Sequence, residues 1–373
     1  MSLAPGVIRD AIIAFLHTLG DDASSKEIAA GISRTLGQVS PSSVRSYLAL
    51  NTPKIFERTG RGRYRLQGLP LINSSGGGNF TQEKIGQATL YRADCFDWLA
   101  SQEPCSVHAV VTDPPYGLVE YTAKETTKLR AGKGGVWRIP PSFDGHTRAP
   151  LPRFTVLDDR DRQALHAFFT KFALLTARIV VPGANVIIAS NPLLSHIVAD
   201  AMTSGGLELR GYVARQVMTM RGGDRPKNAH EEFEGVSVMP RSQWEPWVVL
   251  RRPLEGRVQD NLRKWKTGGF RRPSVDKPFG DVIRSHPTPA TEKKIAPHPS
   301  LKPQAFMRQL IRGVLPLGEG VVLDPFMGAG STLAAANAVG YKSIGVELDE
   351  DFYQLAKNAV PELSHLRIKS IED

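Results

Sequence analysis

Asp113-Pro114-Pro115-Tyr116 puts a carboxylate, two prolines and an aromatic ring into four consecutive residues. Together they offer a carboxylate, a main-chain carbonyl without competing N–H donors, and a flat ring. Such a set suits a planar molecule carrying an exocyclic amine, and a flipped nucleobase is one. The same residue types also occur in an ordinary strand-to-turn exit. A second constellation lies in Asp324-Pro325-Phe326-Met327-Gly328-Ala329-Gly330-Ser331-Thr332. Gly328 and Gly330 let the backbone pass close to a ligand, and a helix starting near Ser331 offers unsatisfied N–H groups. The G-x-G-x-x-G of a dinucleotide fold is absent, because Leu333 stands where the third glycine belongs. The Gly-Lys-Ser/Thr of a phosphate loop is absent too. Glu347 closes the following apolar run, where an acid can accept both hydroxyls of a ribose.

These groups need rigid supports. Val107–Thr112 is a short apolar run that predicts a buried strand, stopped by the two prolines at its carboxyl end. Further strands are predicted at 88–92, 184–190, 209–217, 247–251, 320–324 and 343–347. Helices are predicted near 159–181, 193–204, 303–314, 331–339 and 350–359. This alternation implies a mostly parallel α/β sheet covered by helices on both faces. Open sheets of that kind place ligands at the carboxyl ends of their strands.

Residues 1–70 form a separate pattern. Val7, Ile8, Ala11, Ile12, Phe15 and Leu16 have helical spacing, Ser24 or Ser25 can cap a second helix, and Pro41 opens a third. The stretch 55–66 alternates around Thr59-Gly60-Arg61-Gly62 as a hairpin would. Three helices and a hairpin resemble a winged helix-turn-helix. Ser42, Ser43, Arg45 and Ser46 on its third helix and Arg58, Arg61, Arg63 and Arg65 on its wing would then meet DNA. Docking of a protein is the other use of such a module. Residues 71–83, with Ser74-Ser75-Gly76-Gly77-Gly78-Asn79, are expected to be a linker to a domain over 84–373.

The formal net charge of +10 favours a polyanionic partner. Two segments, 117–156 and 221–290, are rich in Arg, Lys, Gly and Pro, and long irregular segments are commonly functional. Between Arg251 and Arg272 there are eight Lys/Arg against Glu255 and Asp260, with Trp265 and Phe270 interleaved. That composition suits DNA, with a solvated charged face as the alternative. Cys95 and Cys105 have no metal-ligand spacing, His298 has no second ligand at metal spacing, and His230-Glu231-Glu232 lacks a second His, so no metal is expected. No run approaches about 18 apolar residues, and a cytoplasmic, nucleoid-associated, membrane-free protein is expected.

Taken together, the motifs resemble the β-class DNA amino-methyltransferases, which use S-adenosylmethionine. The catalytic D/N/S-P-P-Y/F of that family matches Asp113, Pro114, Pro115 and Tyr116. Its F-x-G-x-G turn matches Phe326 to Gly330, flanked by Asp324, Pro325, Ser331 and Thr332. Its acid after the second strand matches Glu347, and its G-D-C matches Asp94 and Cys95 with Ala93 in place of the glycine. Its H-P-x-x-K-P matches His298 to Pro303 and includes Lys302. The resemblance covers roughly residues 84 to 360. It implies a Rossmann-like sheet with circularly permuted motif order, and target recognition within 221–290. Asp113, Pro114, Pro115 and Tyr116 would be catalytic. Asp94, Cys95, Lys302, Asp324, Pro325, Phe326, Gly328, Gly330, Ser331, Thr332 and Glu347 would bind the cofactor. The aspartate at 113 points to adenine-N6 in double-stranded DNA, with cytosine-N4 methylation or an inert, DNA-binding regulator as alternatives. A homodimer and a restriction partner are both compatible with such a protein.

Overall fold

The computed structural model describes residues 7–19, 22–53, 55–67, 80–115, 157–217 and 228–368, with residue 226 and the pairs 142–143 and 146–147. Tyr116 lies outside the described residues. So do the Gly-rich run 74–79 and most of 117–156 and 218–227.

The amino-terminal module has helices α1 (Val7–Leu19), α2 (Ser25–Leu36) and α3 (Pro41–Leu50). Its small sheet joins β1 (Ala23–Ser24), β2 (Phe56–Gly60) and β3 (Arg63–Leu66), antiparallel in the order β1-β3-β2. Ser24 caps α2 by accepting from Glu27 N, and Glu27 Oε2 accepts from Ser24 N in return at 2.7 Å. Ile12, Leu16, Ile28, Val44, Leu48 and Phe56 are fully buried, so the helical spacing read from the sequence is the spacing of this core. In the wing, Arg63 pairs with Asp22 at 2.6 Å and Arg65 with Glu57 at 2.7 Å. Arg58 and Arg61 are exposed, as are Ser42, Arg45 and Ser46 on α3.

The large sheet has nine strands. They are β4 (Thr81–Ile85), β5 (Ala88–Arg92), β6 (Val107–Thr112), β9 (Val180–Ala189), β10 (Glu208–Gln216), β11 (Trp244–Arg251), β12 (Val282–Arg284), β13 (Val321–Asp324) and β14 (Lys342–Glu347). Ser142–Phe143 (β7) and His146–Thr147 (β8) form a separate two-stranded ladder. The order is β12-β10-β11-β9-β6-β13-β14-β5-β4. β5, β14, β13, β6 and β9 run parallel, whereas β4 and β11 are reversed against their neighbours. Alternate residues of one strand feed opposite faces. Val110, Val186 and Val248 enter one core, and Ala109, Ile187 and Trp247 enter the other. The expected two-sided covering by helices follows from that alternation.

Several elements depart from expectation, among them β12 and the helix at Ala290–Ile295, which the sequence pattern did not mark. β4 lies within the segment expected to be linker, since Thr81–Ile85 pairs with Ala88–Arg92 around Gly86, whose φ is 61°. Its Thr-Gln-Glu-Lys-Ile sequence is mostly exposed and carries no apolar alternation, so pattern alone could not reveal it. Helices α4 (Cys95–Ser101) and α7 (Val258–Trp265) are short and were also unmarked. The remaining helices are α5 (Asp159–Ile179), α6 (Ser195–Ser204), α8 (Ala290–Ile295), α9 (Gln304–Val314), α10 (Ser331–Ala338) and α11 (Glu350–His365).

The basic segment Arg251–Arg272 takes its position from the direction of β11. β11 is reversed, so it delivers this segment to the edge where the parallel strands begin. Arg252 N donates to Ala184 O at 3.1 Å and Asn261 Nδ2 to Pro182 O at 2.9 Å, both early in β9. Arg271 donates to Tyr341 Oη at 2.8 Å, just before β14. Lys264 pairs with Glu255 at 2.6 Å, and Asp260 takes Arg257 and Arg263, each at 3.0 Å. The aromatic residues are half-buried: Trp265 Nε1 donates to Glu255 at 2.7 Å, and Phe270 stacks on Phe279 with centroids 4.9 Å apart. Asp113, at the carboxyl end of β6, is therefore on the opposite edge of the sheet from this stretch.

Gly330 begins α10 with φ +81°, and a Cβ there would sit 2.4 Å from Val360 Cγ2 on α11. Gly330→Ala combines a left-handed backbone with an overpacked helix contact, so a loss of about 2–4 kcal/mol in urea unfolding is expected. Gly340→Ala serves as the control, since φ is +80° there but no atom lies within 4 Å of the added Cβ. It should lose only the smaller backbone part.

Candidate active site

The carboxyl ends of β5, β6, β13 and β14 converge on a cavity of about 710 Å³. Its lining brings together Asp94, Cys95, Asp113, Pro114, Pro115, Lys302, Asp324, Pro325, Phe326, Gly328, Ser331, Thr332 and Glu347. Residues more than two hundred positions apart thus share one wall, because the parallel register sets Leu323 beside Val110 and Glu347 beside Arg92.

One half of the cavity has the chemistry of a nucleoside-like ligand. Asp94 caps α4 through Oδ1, which accepts from Phe96 N at 2.8 Å and Asp97 N at 3.3 Å. Glu347 Oε2 accepts from Gly328 N and Oε1 from Asp349 N, each at 2.9 Å. Burial pushes the Glu347 carboxyl up, and these backbone donors only partly offset it. Two carboxylate oxygens have about four acceptor positions, so two bonds leave capacity for further hydroxyl donors. Gly328 has φ +49° and runs under the His298 ring, whose Nε2 would be 3.1 Å from an added Cβ. His298 stacks edge-on against Phe352 at 4.4 Å and accepts from Ser300 N at 3.2 Å. Burial, and secondarily the Lys302 charge, hold its imidazole below the usual range. Phe326 packs against Phe172 at 5.5 Å and Phe168 at 6.1 Å, which anchors the glycine turn. The Cys95 thiol is buried, and burial pushes it far up, so it lines the wall as a neutral group. Gly330, with φ +81°, permits the turn and the close approach of Val360 on α11.

The other half is a chain of alternating acidic and basic side chains. Lys302 Nζ lies 2.5 Å from Asp113 Oδ2 and 3.3 Å from Glu245 Oε1. Glu245 in turn pairs with Arg215 at 2.8 Å. Burial opposes the charge on Lys302, yet the two carboxylates outweigh it and raise its pKa. Burial likewise opposes ionisation of Glu245, and the Lys302 and Arg215 charges outweigh it and lower its pKa. Lys302 therefore stands on the Asp113 carboxylate, although its motif had placed it with the cofactor residues. Trp247 and Met307 complete this wall. Glu245 and Arg215 escaped the sequence reading. The available signal was a charge at an inward position in two neighbouring strands, between Pro246 and Trp244 in one and beside Val213 in the other.

Behind Asp113, Thr112 Oγ1 donates to Asp324 Oδ1 at 2.7 Å, which ties β6 to β13. Burial raises the Asp324 pKa from 3.8 to about 6, against hydrogen bonds from Thr332 and Thr112. Below pH 4 the group is protonated whether folded or unfolded, and folding gains from its raised affinity for the proton. As pH climbs towards 6, the unfolded chain ionises first and stability falls. Asp324→Asn should therefore gain stability relative to wild type between pH 4 and 7, by on the order of 1–3 kcal/mol. Urea midpoints of the two proteins across that range test it; a pH-independent difference would refute it.

The DNA methylase family model N6_N4_Mtase matches residues 107–358. Type II methyltransferase M.HindIII of Haemophilus influenzae is 22% identical over 293 residues, which cover 72% of this chain and 94% of that protein. Type II methyltransferase M1.MboII of Moraxella bovis is 26% identical over 288 residues, covering 74% and 96%. Among solved structures, the M1.HpyAVI–SAM complex is 19% identical with a TM-score of 0.43, covering 72% of this chain and 98% of the other.

Proposed function

The chain belongs to the DNA methylase family, and from that premise we propose that it methylates the N6 amine of adenine within a specific double-stranded DNA sequence. S-adenosylmethionine supplies an electrophilic methyl group on sulfur. The observation that carries this reading is the single cavity joining Asp113-Pro114-Pro115 to Asp94, Gly328 and Glu347. Glu347 accepts the ribose hydroxyls and Asp94 the adenine amine of the donor, while Gly328 lets the backbone lie close.

An aromatic amine is a weak nucleophile because its lone pair is delocalised into the ring. Asp113 and the Pro114 carbonyl accept its two N–H groups, which draws the nitrogen towards tetrahedral geometry and frees that pair. Extrusion of the base from the duplex is required for this contact. Tyr116 stacks on the extruded ring, and in-line placement supplies much of the rate. The proton leaves after transfer, so Asp113 serves as an acceptor without needing to be a strong base.

The match from 107 to 358 leaves the amino-terminal module outside it. That module is a winged helix whose α3 and wing meet DNA through Ser42, Arg45, Arg58 and Arg61. The exposure of these four supports the reading, whereas Arg63 and Arg65 are already tied to acids. Target recognition is read within 221–290, between the catalytic and cofactor motifs, with Arg251–Arg272 starting from the opposite edge of the sheet from Asp113. Incubation with methyl-labelled S-adenosylmethionine and random-sequence duplex DNA, followed by nucleoside mass spectrometry, tests the assignment. N6-methyladenine is expected; N4-methylcytosine would redirect it, and no transfer with intact donor binding would leave a DNA-binding regulator.

A further inference from the structure

Asp113 hangs beyond the last paired residue of β6, and Lys302 sits on a proline-flanked segment before α9. Neither is held by regular backbone pairing, so the precision of their contact must come from side chains. Glu245 and Arg215 provide it. They stand directly opposite in the β10–β11 ladder, and Arg215 also donates to Ser285 Oγ and His286 O, each at 3.0 Å. Its guanidinium lies 5.4 Å from the Phe306 ring on α9, the helix that follows Lys302. Both side chains are almost fully shielded, at 7% and 14% exposure, and neither is among the residues lining the cavity. Acidic and basic side chains alternate along Asp113, Lys302, Glu245 and Arg215.

Building on the proposed methyl transfer, we infer that Glu245 and Arg215 are positioning residues that hold Lys302 on Oδ2 of Asp113 and so fix the orientation in which that carboxylate meets the target amine. They touch neither base nor donor. Their effect passes only through Lys302, and a lateral error of about 1 Å at the reacting groups is enough to cost about 10²-fold in rate.

The test uses full-length protein in single-turnover methylation, with donor affinity measured by calorimetry and stability by thermal melting. Glu245→Gln keeps the shape but removes the charge and turns one of the two acceptor oxygens that face Lys302 and Arg215 into a donor. It should lower the transfer rate at saturation by about 10²-fold, with affinity for S-adenosylmethionine and for DNA within about threefold. Arg215→Lys should lose less, since charge persists and only the fork to Ser285 and His286 goes. Glu245→Gln combined with Lys302→Met should be no slower than Lys302→Met alone. Effects that multiply independently would overturn the inference, as would a Glu245→Gln rate within twofold of wild type. If both Glu245→Gln and Arg215→Lys melt early and lose donor binding, the set is a folding element and the inference is overturned. Absence of methyl transfer by the wild type would instead count against the proposed function.

Discussion

Asp113→Ala should abolish methyl transfer, lowering the single-turnover rate by about 10³-fold or more, equivalent to about 4 kcal/mol. In the proposed reading this carboxylate meets the amine, and its removal also takes away the partner that Lys302 Nζ reaches at 2.5 Å, while the contact to Glu245 at 3.3 Å stays. Affinity for S-adenosylmethionine should stay within a few-fold, because the donor half is built by Asp94, Gly328 and Glu347 on other strands. Asp113→Asn, which retains a carbonyl acceptor but not the charge, should fall between the two. Calorimetry beside quenched-flow methylation separates these quantities; appreciable turnover by Asp113→Ala would refute the assignment.

Glu347→Ala should produce the complementary result. A charged acceptor shared with ligand hydroxyls contributes about 1.5–3 kcal/mol, so donor affinity should weaken by about 10- to 150-fold. The change also strips the partner from Gly328 N, now bonded at 2.9 Å, and loosens the glycine turn. At saturating donor the transfer rate should return to within a few-fold of wild type, because Asp113 and its clamp are untouched. An unchanged dissociation constant would remove Glu347 from the donor site. The contrast between a rate defect at 113 and an affinity defect at 347 tests whether the cavity is divided as its geometry implies.

Much of the donor half was legible in the chain. Phe326 to Gly330 followed by Ser331 had to be a strand-turn-helix, because only glycine adopts φ +81° before a helix without strain. Asp94 and Glu347 stood at strand ends, and strand ends are where open parallel sheets receive ligands. Asp113-Pro114-Pro115 was legible for the same reason, with prolines ending the ladder. The amino-terminal helices were equally plain, since Ser24 with Glu27 and Ser40 with Pro41 carry their own start signals.

The position of the basic segment Arg251–Arg272 was not legible, because charge and aromatic content say nothing about which edge of a sheet a segment occupies. Only the reversed direction of β11 decides that. The contact of Lys302 with Asp113 could not be read from the sequence for a related reason. Its motif lies next to the glycine turn in sequence, yet its ammonium reaches across to Asp113, 189 residues away.

Local chemistry, then, determined which residues could hold a donor and an amine, since backbone freedom, missing N–H groups and carboxylates are properties of the residues themselves. The folded chain decided what each of them faces. Long-range partners such as Thr112 with Asp324, or Glu245 with Lys302, depend on strand order and direction, which are set by burial of two cores over the whole sheet and leave no mark in any short stretch of sequence.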